Sequence, residues 1–246
     1  MANLFKFKLT TISPVHIGCQ ESISPYSDYI YKGGKVLFID ENKLMDFFKG
    51  RRDMDEIIDD YMEVIRFQAS SNLESRYNVE DFFQKYGLEV GDFVSYTLDT
   101  NGEVSQVINR TINSCGRPYI PGSSLKGAIR TCLLYYHMKE EDVNFRGGSP
   151  YIGGDVFGNF ANDILKYLSI SDTNTVRNTE CEILRIGRYN LKKESLDVPV
   201  VVEAINPNTH FNFSINLKGK MESRFKYLNK DNIGDLLVII NQFYIE

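Results

Sequence analysis

One segment of the chain, residues 117–130, strongly constrains its local structure: two prolines and a glycine lead directly into an amphipathic run. The prolines restrict the approach, and Gly122 leaves the backbone free to turn. Ser123 or Ser124 is placed to cap a helix. Because the N-terminus of a helix presents N–H groups and the positive end of the helix dipole, it favours anions. The segment therefore predicts a rigid loop and helix start with outward-facing N–H groups that bind phosphate.

Two cations follow within this predicted helix. Lys126 and Arg130 are four residues apart, so they share one helix face one turn apart. Both are placed to reach successive phosphates of a strand that crosses the helix N-terminus. The pattern requires binding, and it does not require catalysis.

Two other interpretations of the segment remain open. Gly122 and Gly127 are five residues apart, as in a nucleotide-binding loop of the Walker type, but that motif ends in Gly-Lys-Ser/Thr. Here Ala128 and Ile129 follow Gly127, so the lysine and the hydroxyl that such a loop needs are absent. The second interpretation is an ordinary, well-capped loop with no ligand.

Residues 119–130, Tyr-Ile-Pro-Gly-Ser-Ser-Leu-Lys-Gly-Ala-Ile-Arg, resemble the loop–helix signature of the RAMP superfamily, the RNA-binding subunits of type III CRISPR interference complexes. Residues 9–18 resemble the first strand and turn of that superfamily, and residues 28–31 continue the pattern. The opening and residues 198–207 look most like the Csm-type subunit at the 3′ end of the guide RNA. The similar stretches run from about residue 5 to about residue 217. The family usually continues beyond a position such as Phe243, so we expect a shortened terminus or a compact variant.

The resemblance implies an α+β fold of two ferredoxin-like (RRM-like) modules, each an antiparallel sheet with helices. The N-terminal module spans residues 1–145, with a helical insertion at about 41–90. The C-terminal module spans residues 146–246, in a shortened or compact form. Residues 145–154 are rich in glycine, serine and proline, which places the boundary there.

The resemblance also implies a function. We expect a non-catalytic scaffold subunit of a type III-A complex that caps the 3′ end of the CRISPR guide RNA (crRNA). Its other partners would be a neighbouring RAMP backbone subunit and further effector subunits. The residues expected to contact RNA are His16, Gly18, Arg117, Tyr119, Gly122, Ser123, Ser124, Lys126, Gly127 and Arg130.

Composition agrees with this expectation without proving it. The 246 residues carry a formal net charge of −5, which argues against a nonspecific nucleic-acid coat and requires any basic surface to be local. The sequence contains four cysteines without Cys-x-x-Cys spacing, no secretory leader and no apolar run long enough to cross a membrane. We therefore expect a cytoplasmic protein with no membrane partner. No cofactor is expected, and no metal site, because no second pair completes His16-x-x-Cys19.

An RNA-cleaving RAMP enzyme is the first alternative function. The backbone subunits of the same complexes cut target RNA with an aspartate after the first strand, and Asp28 lies near that position. Guide-processing RAMP nucleases use a histidine, which makes His16 the other candidate. Spacing alone supplies His16 with no acid or phosphorane-stabilising partner. The second alternative is a free-standing nucleotide-binding or interaction protein.

Hydrophobic periodicity predicts strands and helices in mixed order. Predicted strands occupy residues 4–12, 29–39 (a hairpin turning at 32–34), 93–98 and 104–112 (a second hairpin joined by 99–102), 169–172, 179–188, 198–204 and 211–217. Predicted helices occupy residues 41–49, 54–68, 124–138 and 233–243.

Overall fold

The computed structural model describes residues 3–66, 78–141, 152–159, 161–187, 189–196, 198–218 and 223–245, which fold as a mixed α+β protein. The strands are β1 (Asn3–Thr10), β2 (Gly18–Ile23), β3 (Tyr29–Lys32), β4 (Lys35–Ile39), β5 (Val94–Asp99), β6 (Ile108–Thr111), β7 (Asn113–Ser114), β8 (Arg117–Pro118), β9 (Leu168–Ile170), β10 (Cys181–Ile186), β11 (Tyr189–Asn190), β12 (Ser195–Leu196), β13 (Val200–Ile205) and β14 (His210–Leu217). The helices are α1 (Glu41–Lys49), α2 (Met54–Arg66), α3 (Val79–Lys85), α4 (Gly122–Glu140), α5 (Gly154–Phe157) and α6 (Gly234–Ile245).

Local signals place several of these elements where the sequence predicts them. The side chain of Asp40 accepts hydrogen bonds from the N–H groups of Asn42 and Lys43, which starts α1. Gly33 and Gly34 both have positive φ angles, which lets β3 turn tightly into β4. The predicted helix at 54–68 is confirmed as far as Arg66, and its last two residues lie outside the described residues.

The chain forms two compact units that interleave along the sequence. Unit 1 comprises Met1–Thr10, Tyr119–Thr175 and His210–Glu246, and unit 2 comprises Thr11–Pro118 and Val176–Thr209. The predicted boundary between residues 145 and 146 lies outside the described residues and stays a prediction.

Unit 1 is built on an antiparallel sheet with the strand order β1-β14-β9. Apolar side chains of α4 and α6 form one core with the inward-facing residues of this sheet. The buried members of this core that belong to α4, α6 and the sheet are Ile129, Leu133, Leu168, Ile215, Leu217, Leu236 and Ile239. The helices therefore cover one face of the sheet.

Unit 2 contains two larger sheets. One has the order β10-β13-β6-β2, and the other has the order β3-β4-β5. Helices α1, α2 and α3 bury an aromatic-rich core that includes Phe48, Tyr61, Phe82 and Phe83. These three helices lie within the insertion predicted at about 41–90.

The predicted hairpin between residues 93 and 112 is wrong. Strand β5 pairs with β4, whereas β6 pairs in parallel with β13 and antiparallel with β2. The expected turn serves another purpose, because Asn101 donates its N–H to the carbonyl of Ile183 and accepts the N–H of Arg185. Its hydrogen bonds go to β10, so the chain does not fold back on β5.

Candidate nucleic-acid interface

Helix α4 begins earlier than the sequence predicts, so the predicted serine cap is wrong. Pro121 occupies the N-cap position and Gly122 is the first helical residue, with no side-chain cap. Ser123 and Ser124 therefore lie inside the first turn, and the N–H of Ser124 donates to the carbonyl of Pro121 at 3.0 Å. A serine inside the helix does not adopt the extended cap conformation that turns its hydroxyl toward the free N–H groups.

Gly122 is required by a close approach of two backbone segments. A Cβ at this position would lie 2.4 Å from the carbonyl oxygen of Ile170 and 2.7 Å from that of Ser171. The N–H of Gly122 donates to the Asp172 carboxylate at 2.8 Å. The prediction that this N–H faces outward to bind phosphate is therefore wrong, because an internal carboxylate already uses it.

The loop before α4 is held by hydrogen bonds to the segment after β9. The N–H of Ile120 donates to the Thr173 hydroxyl at 2.9 Å, and the N–H of Thr173 donates to the carbonyl of Ile120 at 3.1 Å. Tyr119, directly before this contact, is partly exposed. The predicted rigidity of the loop thus has a structural cause beyond its prolines.

An accessible face remains on the first two turns of α4. Ser123 and Gly127 are exposed, and no atom lies within 4 Å of a Cβ built at Gly127. Lys126, between them, is partly exposed and has no ion pair within the described part of the chain. Partial burial lowers the pKa of Lys126, while the nearby Asp163 opposes this shift. This accessible face, Ser123, Lys126 and Gly127, is called the α4 face below.

Arg130 has internal partners, in contrast to Lys126. Its guanidinium donates to the Asp163 carboxylate at 2.5 Å and to the carbonyl of Ile152 at 3.1 Å. The guanidinium also lies over the Phe157 ring, 4.6 Å from the centroid, and only 24% of the side chain is exposed. These contacts hold the end of the α4 face in place.

The other predicted contact residues, His16, Gly18 and Arg117, belong to unit 2. His16 forms a hydrogen bond of 2.7 Å between Nδ1 and the carbonyl of Glu203, so Nδ1 carries the proton. A Cβ at Gly18 would lie 3.4 Å from His16 Nε2. Arg117 is exposed in β8, opposite Ser114.

Glu203, whose backbone carbonyl bonds His16, also carries a buried carboxylate that was not predicted from the sequence. Glu203 lies in β13 with 2% of its side chain exposed, and it accepts the N–H of Thr111 at 3.1 Å. Arg110 Nε lies 3.9 Å from its carboxylate, and burial raises the pKa of Glu203 above its ordinary value. The available signal was a charged residue inside the otherwise apolar run of residues 200–205.

Asp28 is held by the turn that precedes β3. Its carboxylate accepts the N–H of Ser24 at 2.7 Å and the hydroxyl of Ser27 at 2.6 Å. Both oxygens of this candidate nuclease residue therefore have local partners, as expected for a turn-capping carboxylate.

The described residues show neither a metal-ligand cluster nor a membrane-spanning helix. They contain no group of three or more His, Cys, Asp or Glu side chains arranged to hold a metal ion. Among them, no helix combines the length and the apolar character needed to cross a membrane.

Sequence comparison identifies relatives over most of the chain. The family model of the RAMP superfamily (RAMPs) matches residues 8–244. A protein from Methanocaldococcus jannaschii named CRISPR system Cms protein Csm5 is 29% identical over 91% of this chain. A protein of the same name from Streptococcus thermophilus is 28% identical over 86% of this chain. The chain spans 54% and 63% of the lengths of these two curated relatives.

Two solved structures share the fold. The crystal structure of T. onnurineus Csm5 matches with a TM-score of 0.68 and 22% identity, over 97% of this chain and 79% of that one. A chain of the cryo-EM structure of a Csm–crRNA–target RNA ternary complex of a type III-A CRISPR–Cas system matches with a TM-score of 0.62 and 22% identity. That match covers 98% of this chain and 70% of the other. With the superfamily pattern extending over residues 8–244, the chain belongs to the RAMP superfamily.

Proposed function

We propose that the chain is a non-catalytic, crRNA-binding scaffold subunit of a type III-A CRISPR interference complex. It caps the 3′ end of the crRNA in the cytoplasm and contacts a neighbouring RAMP backbone subunit. The observation that carries the proposal is the α4 face, which presents Lys126 with no ion pair to any described residue, inside a chain of the RAMP superfamily. The name Csm5 shared by the two curated relatives supports the choice of subunit.

The α4 face suits the RNA backbone better than the bases. Lys126 supplies one positive charge, the Ser123 hydroxyl is a donor, and the bare backbone at Gly127 allows a strand to approach closely. Contacts of this kind position a strand without reading its sequence, as a subunit that serves many guides requires. In this proposal Gly122 and Arg130 do not contact the RNA. Their internal contacts stabilise the position of α4.

We also propose that unit 1 is one of the two ferredoxin-like modules. Apart from the one-turn helix α5, its elements follow the order β1, α4, β9, β14 and α6, and its sheet has the order β1-β14-β9 with α4 and α6 on one face. This order and pairing correspond to the β-α-β-β-α part of the β-α-β-β-α-β motif. The assignment of the second module, and of the modules to residues 1–145 and 146–246, stays a prediction.

The non-catalytic part of the proposal rests on the two candidate nuclease residues. Asp28 uses both carboxylate oxygens within its own turn, and His16 uses Nδ1 to bond the carbonyl of Glu203. Cleavage of RNA without a metal requires a base, an acid and a group that stabilises the phosphorane. Among the residues that the structure describes, neither Asp28 nor His16 has two such partners.

The test is to express the chain with its effector subunits and sequence the RNA that co-purifies. We expect guide molecules that share a repeat-derived tag, with crosslinks to this chain near their 3′ ends. Crosslinks confined to another part of the guide would contradict the capping role. An Asp28→Ala or His16→Ala complex that assembles but loses cleavage of target RNA or maturation of the guide would establish the endoribonuclease alternative.

A further inference from the structure

The outer face of the unit 1 sheet, opposite α4 and α6, is polar and open. Side chains alternate along β1, so Phe5, Phe7 and Leu9 turn toward the core and every second residue turns outward. The outward positions of the three strands are Leu4, Lys6, Lys8, Thr10, Ser169, His210, Asn212, Ser214 and Asn216.

This face carries positive charge that the sheet does not compensate. Lys6 and Lys8 are exposed, and neither forms an ion pair with any residue that the structure describes. Their cross-strand neighbours are the neutral residues Ser214 and Asn212. None of the outward positions on the three strands is a carboxylate. Because no carboxylate on this face neutralises the two lysines, the face favours binding of an anionic ligand.

The face forms an open groove of about 510 Å³. Lys6, Lys8, Asn212 and Ser214 are among the residues that line it. Because the groove is open to solvent, it suits a polymer lying across the surface better than an enclosed small molecule.

Ser171 connects this groove to the start of α4. Its side chain lines the groove, and its hydroxyl accepts the N–H of Ser214 at 2.9 Å. Its carbonyl oxygen lies against Gly122, where a Cβ would come within 2.7 Å. A strand that contacts the α4 face is thus close to the groove within the same unit.

We propose that this outer sheet face binds a second stretch of single-stranded RNA backbone, continuous with the stretch held by the α4 face. The inference rests on the proposed function and extends it from one contact to a path. Lys6 and Lys8 are two residues apart on a strand, about 7 Å, a spacing suited to successive phosphates. Because no aromatic side chain occupies an outward position on these strands, the face binds phosphates rather than stacking bases.

The experiment measures binding of the purified full chain to a fluorescently labelled single-stranded RNA at several salt concentrations. The test variant is Lys6→Gln/Lys8→Gln, and the matched control is Lys192→Gln/Lys193→Gln, which removes two exposed lysines from unit 2. We expect the test variant to bind at least fivefold more weakly and the salt slope to fall by about 1.4, or two phosphate contacts. Lys6→Arg/Lys8→Arg should restore both quantities.

The outcomes separate this inference from the proposed function. If Lys126→Gln weakens binding while Lys6→Gln/Lys8→Gln behaves like the control, the sheet-face path is wrong and the proposed function stands. If the wild-type chain shows no salt-dependent binding of RNA, alone or within its complex, the proposed function fails as well. If the test variant keeps its RNA affinity but no longer joins its neighbouring subunits, the face is a protein-docking surface and the inference is overturned.

Discussion

The sheets of the two units handle cationic side chains in opposite ways. In unit 1, Lys6 and Lys8 project from β1 opposite neutral partners. In unit 2, Arg110 of β6 lies between two carboxylates, 3.9 Å from Glu203 and 3.7 Å from Glu21. The charge of Arg110 is thus compensated within its sheet, whereas the charges of Lys6 and Lys8 are directed toward solvent.

This difference separates cations that stabilise the fold from cations available to a ligand. The same division occurs within α4, where Arg130 is bound to Asp163 and Lys126 one turn earlier is not ion-paired in the described part of the chain. A count of basic residues would treat all five cations alike. Their partners predict which substitutions change stability and which change RNA binding.

The largest effect on stability is expected at the backbone contact that positions α4. Gly122→Ala places a methyl group 2.4 Å from the carbonyl oxygen of Ile170, so backbone must move. We expect the free energy of unfolding to fall by about 3 kcal/mol or more. Urea denaturation of the full chain measures this loss.

Gly127→Ala is the matched control in the same helix. Its Cβ meets no atom within 4 Å, and alanine favours a helix more than glycine does. We expect unfolding to become about 0.5–1 kcal/mol less favourable. If both variants change stability equally, the close approach at Gly122 is not the reason for that glycine.

The next largest effect on stability is expected when the buried carboxylate of Glu203 in unit 2 is removed. Glu203→Ala leaves the buried N–H of Thr111 without its acceptor and removes one of the two carboxylates beside Arg110. We expect a loss of about 1–3 kcal/mol in urea denaturation. Glu203→Gln, which keeps an acceptor oxygen, should lose less.

The buried carboxyl of Glu203 also predicts that the stability of the fold depends on pH. Burial raises the pKa of Glu203 above its ordinary value of 4.5, so the folded chain holds this proton more tightly than the unfolded chain. Its contribution to stability is therefore full below pH 4.5 and declines as the pH rises through the raised pKa. Comparison of wild type with Glu203→Gln at several pH values isolates this slope. An identical slope in the variant would contradict the assignment.

Substitutions of Arg130 and Lys126 compare an ion-paired cation with one available to a ligand in the same helix. Arg130→Gln removes the hydrogen bonds to Asp163 and Ile152, so we expect about 1.5–3 kcal/mol of lost stability. Lys126→Gln should leave the unfolding midpoint nearly unchanged and weaken RNA binding. The opposite pattern would show that Lys126 is the structural cation and Arg130 the ligand-binding one.

The smallest effect is expected at Asp28. Asp28→Ala removes the acceptor for Ser24 and Ser27 from one turn, so we expect a loss of about 1 kcal/mol. Asp99→Ala, an exposed carboxylate 3.4 Å from Lys35, is the control, and we expect it to change stability by less than about 1 kcal/mol. Equal losses in the two variants would argue against the turn-capping role.

Local signals predicted local structure well. The Asp40 cap and the glycine pair at 33–34 lie within a few residues of the elements they define, so a single stretch of sequence contains the necessary information. The alternating pattern of residues 4–10 also places Lys6 and Lys8 on the face of β1 away from the core. The superfamily was identified from the loop–helix signature and is confirmed by the match over residues 8–244.

Contacts between distant segments could not be predicted in the same way. The parallel pairing of β6 with β13 joins residues about ninety positions apart, and no local pattern specifies that register. The role of Gly122 depends on Ile170, and the partner of Arg130 is Asp163. For this reason the internal contacts of Gly122 and Arg130 could not be predicted from the residues around α4.

The salt dependence of RNA binding tests the central claim most directly, namely that Lys6, Lys8 and Lys126 of unit 1 hold an RNA backbone. A triple variant, Lys6→Gln/Lys8→Gln/Lys126→Gln, is compared with wild type as log affinity against log salt concentration. Loss of three phosphate contacts predicts a slope lower by about 2, with the unfolding midpoint unchanged. A slope equal to that of wild type would contradict the claim.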